Sequence, residues 1–173
     1  MQRLISEKLV GLIEKNSASI LEKWVERLLA DGITSSFSKG HVEYVSDKAK
    51  GLLQNLGKWL HYDTNKDEIE KRYTDEAKDL FIMKIPLHEA TRAMVVLRRF
   101  VWLFVVDETS SDSAFELNQL KEFNDRLILF FDRAQYYVIR SYMAELSATL
   151  QQACKVSADD AEKLFFTKSF YNK

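Results

Sequence analysis

The chain has 173 residues, enough for one domain that buries roughly two-thirds of its unfolded surface in a single core without help from metals or disulfides. Its 25 Lys and Arg against 26 Asp and Glu are scattered along the sequence, so no field is built to hold a phosphate backbone or an anionic membrane, and nucleic acid is excluded as an expected partner. The lone cysteine, Cys154, excludes an internal disulfide and agrees with a reducing compartment.

The opening residues, Met1 to Lys8, carry charges every few positions and no continuous apolar run, so no signal peptide is expected. A first helix is predicted from about Gln2 to Lys15, with Ile5, Leu9, Leu12 and Ile13 on one face. Asn16 and Ser17 offer a break or a new N-cap before a second stripe of Ile20, Trp24, Val25 and Leu28 that ends at Asp31-Gly32. The spacing allows two helices or one bent one. Ile33 to Lys39, rich in Ser and Thr, is the first clear loop.

A third helix is predicted from about Gly40 to His61, where Val42, Val45, Ala49, Leu52, Leu56, Trp59 and Leu60 recur at three and four. Gly51 and Gly57 each cost about 1 kcal/mol inside it, which a close helix crossing would offset. Asp63-Thr64-Asn65 reads as a turn, followed by a helix that faces Ile69, Tyr73, Ala77, Leu80 and Phe81 inward. Pro86 disfavours helical geometry at Ile85 and suits the start of a new helix, so Ile85-Pro86-Leu87 marks a junction.

From Leu87 to about Val106 the stripe is Leu87, Ala90, Met94, Leu97, Val101 and Phe104. Its second half, Phe100 to Val106, is apolar all round, and such a helix must be covered at the centre of the fold or at a subunit interface. At seven residues this is the longest apolar run in the chain, far below the ~20 that a spanning helix needs, so the chain is expected to be soluble and cytoplasmic with no membrane insertion. After a turn at Asp107 to Ser113 with an N-cap at its end, Leu117, Leu120, Leu127, Phe131, Ala134, Val138 and Leu146 mark one long helix of about 35 to 40 residues. Such a helix exceeds the diameter of a domain this size, so part of it should project or pack against a second copy. Ser157-Ala158-Asp159-Asp160 reads as a cap ahead of Leu164, Phe165 and Phe166.

No pattern of reactive residues emerges. His41, His61 and His88 are far apart and outside any His-x-x-x-His spacing, and with one cysteine there is no zinc signature. The five glycines never cluster into a phosphate loop. His88-Glu89, just after Pro86, is similar to the phosphoacceptor box of histidine kinases, although the proline precedes the histidine instead of following it. His88 is also the residue that would ligate a haem if the fold were globin-like. Arg98 and Arg99 interrupt an apolar helix, so at least one must leave the core, for an ion pair, an anionic ligand or an exposed edge. With Phe100, Trp102, Phe104 and Phe131 they form the candidate interface or ligand pocket. No catalytic residue, metal site or cofactor is expected.

The segment from Ile85 to Trp102 orders a Pro-Leu pair, a Glu, an apolar series, a basic pair and an aromatic residue, and upstream Ile20-Leu21-Glu22-Lys23-Trp24-Val25 places a Trp four residues after an Ile. In these two motifs, and as a pattern of helices over about residues 3 to 150, the chain resembles the N-terminal domain of RsbR-type RsbT co-antagonists, the bacterial stressosome proteins, a domain that also stands in front of sensor histidine kinases. The resemblance implies a globin-like helical input domain without haem, dimeric, whose last long helix passes a signal to an output domain.

The expectation is therefore an all-α, single-domain bundle of five or six helices with one long C-terminal helix. The domain covers residues 1–155, with a tail or linker over 156–173. Its expected role is non-enzymatic signal input in a bacterial stress-response or two-component pathway, as a homodimer with a downstream kinase or anti-sigma-antagonist partner. The rival expectations are histidine phosphotransfer through His88 and a haem-binding globin-like sensor.

Overall fold

In the computed structural model, which describes residues 7–37, 39–61, 66–109 and 113–166, the chain is all-α, with no strand among the described residues. The order is α1 (Glu7–Lys15), α2 (Ser17–Ala30), a 3₁₀ turn (Gly32–Thr34), α3 (Lys39–Leu53), α4 (Leu56–Leu60), α5 (Lys66–Ile82), α6 (Leu87–Glu108), α7 (Ala114–Cys154) and α8 (Ala158–Phe166). These are eight α-helices among the described residues where five or six were expected. The expected helix start at Gln2, the Asp63-Thr64-Asn65 turn, part of the turn before Ser113, the side chains of Leu164, Phe165 and Phe166, and the tail beyond Phe166 lie outside the described residues.

Two of the extra helices come from breaks within expected runs. Asn16 separates α1 from α2: its backbone N–H and its side-chain amide both return to the Leu12 carbonyl, and the amide spends its donor on closing α1. The expected Gly40 to His61 helix divides at Gln54-Asn55. There the Asn55 N–H bonds to the Leu52 carbonyl three residues back, and its side chain donates to the Gly51 carbonyl, so the chain turns before α4 begins. Gly57 is the close crossing: a Cβ there would lie 3.1 Å from Val10 Cγ1, and its N–H donates to Glu14 of α1 at 3.1 Å. Gly51 meets nothing, so its entropic cost is not offset by packing.

The α5–α6 junction is built by Lys84 in the left-handed region (φ 58°). Ile85 N–H reaches back to the Leu80 carbonyl and Lys84 N–H to the Phe81 carbonyl, the pair of bonds that closes a Schellman turn, with Ile85 fully buried over Leu80. Pro86 then stands at the N-cap of α6. Tyr142 of α7 clamps the same turn by donating its hydroxyl to the Ile85 carbonyl at 2.8 Å.

Helix α7 is the spine, 41 residues and about 60 Å long at ~1.5 Å per residue. Ser113 and Glu116 form a reciprocal capping box at its start. Phe123, Leu127, Phe130, Phe131, Ala134, Val138 and Ser141 are its buried residues, and α5 and α6 pack along them. Beyond Ser141 no residue of α7 is buried; the helix ends at Lys155, again left-handed, and α8 folds back against it, capped by Ser157. No described helix is long and apolar enough to cross a membrane.

Candidate ligand pocket and interaction face

A pocket of about 40 Å³ opens where α2, α3, α5, α6 and α7 converge. Its apolar wall includes Trp24, Leu52, Leu80, Leu97 and Phe131. These residues meet because each lies on the inward stripe of its own helix, while Ala49, Ala90 and Ala93 keep the space open by carrying so little side chain. Trp24 is locked by donating its indole N–H to the Ala93 carbonyl of α6 at 2.9 Å.

One side of this pocket is polar. Lys48 of α3 and Arg72, Tyr73 and Glu76 of α5 line it. Arg72 donates an Nη2 hydrogen to the Lys48 carbonyl at 2.9 Å, and its guanidinium lies 5.1 Å from the Trp59 ring. Its Nε, by contrast, is buried and has no hydrogen-bond partner. Burial pushes the Glu76 carboxyl above its ordinary range, against the opposing pull of Arg72 and Lys48, and Asp79 adds to the rise. Burial likewise pushes the Tyr73 phenol up. Tyr44 of α3 donates its hydroxyl to Asp79, which ties α3 to α5 beside the pocket.

The expected candidates do not converge on one place. Phe131 is buried and lines the pocket. Phe100 and Phe104 pack, partly buried, against the core. Arg98 has swung to the α6–α7 edge, where Nη1 meets Asp132 Oδ1 at 3.0 Å, and Arg99 is exposed. Trp102 is half-buried on the outward side of α6. The all-apolar half of α6 is thus covered on one side only: Val101 and Val105 are fully buried, whereas Leu103 and Val106 are 40% and 42% exposed. Ile128 and Ile139 of α7 are exposed as well, so the uncovered apolar surface spans two helices.

His88 is exposed at the first turn of α6 and lines neither this pocket nor the broad second groove bounded by Trp59, Phe115, Leu129 and Arg133. Its neighbour Glu89 is buried and accepts from the Ser36 N–H at 2.8 Å and the Ser36 hydroxyl at 2.9 Å, which ties the segment after the 3₁₀ turn to α6. His41 Nδ1 lies 3.0 Å from the Ser36 carbonyl, and His61 is exposed at the end of α4. No group of three or more potential metal ligands occurs among the described residues.

Sequence reading did not single out Lys48, Arg72, Glu76 or Glu89. The available signal was Arg72 and Glu76 flanking the inward Tyr73 and Ala77 on α5, a position from which a long side chain can curl over a core edge. No protein-family model, no curated protein and no solved structure matches the chain.

Proposed function

We propose that the chain is a non-enzymatic signal-input module that pairs with a second copy of itself through the outward face of α6 and passes a helix rearrangement along α7. The observation that carries this reading is the uncovered surface on α6. Val95, Arg99, Trp102 and Val106 recur there at four, three and four, the spacing of a heptad seam, with Leu103 alongside. An antiparallel pairing of two α6 helices centred on Leu103 would bring the basic Arg99 of one copy toward the acidic Asp107 of the other, so the seam is self-complementary in charge as well as in shape.

The same α6 contributes Ala90, Ala93, Met94 and Leu97 to the pocket. A ligand or partner that binds two arrangements of α6 unequally would shift their populations, and α7, packed on α6 and running on past the core, would carry that shift outward. The resemblance to co-antagonist input domains supports a kinase or an anti-sigma-antagonist domain as the recipient.

Light scattering on the purified chain tests the pairing. A dimer is expected, and Leu103→Glu should turn it into a monomer of unchanged helicity. A wild-type chain that stays monomeric at high concentration overturns the reading.

A second reading, phosphotransfer through His88, draws on an exposed imidazole with Nε2 4.0 Å from the Glu89 carboxylate. Label passing from a phosphorylated receiver to the chain, and lost in His88→Gln, would establish it in place of the first.

A further inference from the structure

The pocket among α2, α3, α5, α6 and α7 has an unbalanced polar inventory. Its unmet group is a donor, Arg72 Nε, buried without a partner, and leaving a charged donor unsatisfied costs more than a neutral one. The carboxylate nearest in sequence on the same wall, Glu76, makes no hydrogen bond or ion pair with any described residue. Asp79 is engaged by the Tyr44 hydroxyl. Lys48 adds a second cation on the facing helix. An occupant that satisfies this wall must therefore present an acceptor, and an anionic one gains from both cations.

The rest of the lining sets the body of that occupant. Trp24, Leu80, Leu97 and Phe131 offer no free hydrogen-bonding group toward it, since the Trp24 N–H is already given to Ala93. At about 40 Å³ the space holds about three atoms of water size, reckoned at ~10–15 Å³ each. The mouth on the Lys48 and Arg72 side leaves room for a head group at the rim.

We propose that this pocket binds a short-chain monocarboxylate, acetate or propionate in size, with its carboxylate on Arg72 Nε beside Lys48 and its alkyl end between Trp24, Leu97 and Phe131. The assignment goes beyond the input-module reading and stands on the pocket alone. Glu76 is the counterweight in this site: its charge opposes an anion on Arg72, so neutralising it should strengthen binding.

Sodium propionate titrated into the full chain, with sodium chloride at matched ionic strength as the control, tests this by calorimetry and by the nuclear magnetic resonance shift of the Trp24 indole N–H. A saturable shift that chloride does not reproduce is expected. Arg72→Gln should weaken binding by about tenfold to a hundredfold, the range for losing a hydrogen bond to a charged group, and Glu76→Gln should strengthen it. Ala93→Val, which fills the space without touching Arg72, should weaken it too, and serves if Arg72→Gln does not fold.

Absence of a saturable response in the wild-type chain overturns the proposal whatever the variants do. So does tighter binding of propylamine than of propionate, with Glu76→Gln abolishing it, because the site would then be cationic in preference. Light scattering reads the dimer separately, so a failed titration leaves the pairing of α6 untouched, and a monomeric chain leaves the pocket untouched.

Discussion

The two sides of α6 have nearly the same composition and opposite fates. Leu97, Val101 and Val105 are sealed against α7 and the pocket, while Trp102, Leu103 and Val106, one turn or less away, face outward with apolar surface uncovered. Hydrophobicity alone does not distinguish them. The difference is which side the α5–α6 turn and the Arg98–Asp132 pair present to the rest of the chain. An apolar helix can serve a core and an interface at once, the first set by this chain and the second left for a partner.

The contrast breaks most sharply by truncation. Leu97→Ala should cost about 2–5 kcal/mol in urea denaturation, because it removes a buried side chain and enlarges an existing void. Leu103→Ala on the opposite side should change monomer stability by less than ~0.5 kcal/mol, with its effect confined to the oligomeric state. Comparable losses from the two would mean that both sides are core.

A smaller effect is expected where the inner side of α6 is polar. Glu89→Ala leaves the Ser36 N–H and hydroxyl without their acceptor and should cost about 1–3 kcal/mol. Amide hydrogen exchange should rise locally around Ser36, while the outward residues stay unchanged.

Across the pocket from α6, Glu76 adds a pH dependence whose direction is determined by its burial. Its carboxyl titrates higher in the folded chain than in the unfolded one, so between those two values the native state holds the proton more tightly. Stability should therefore fall as pH rises through that window and level off above it. Glu76→Gln should flatten this slope in denaturation midpoints measured across the acidic range. An unchanged slope in the variant would show that Glu76 is solvated in the native state.

The smallest effect has the opposite sign. Lys84 holds a left-handed conformation in the turn that aims α6, which costs a residue with a Cβ about 1–2 kcal/mol relative to glycine. Lys84→Gly should raise the thermal midpoint modestly without altering the oligomeric state.

Local chemistry made much of this fold legible. The Asn16 break, the Pro86 junction, the Ser113 and Ser157 caps and the inward stripe of α5 through Ile69, Tyr73, Ala77 and Leu80 are all written in side chains that act within a few residues. The division of the Gly40 to His61 run was not legible, because the apolar spacing continues unbroken through Asn55 and both halves are buried. The pocket was less legible still. Phe131 was anticipated, but Lys48, Arg72 and Glu76 look like ordinary charged positions of amphipathic helices until α3 and α5 bring them together.

Periodicity of three and four determined by itself that the chain would be helical and which stripe of each helix would turn inward, because those rules need only the geometry of one helix and its caps. Which apolar residues were actually covered, where an arginine lost its partner, and that five helices would leave a space between them were decided by the tertiary structure. Burial and unsatisfied polarity depend on what lies across the gap, which no single segment encodes.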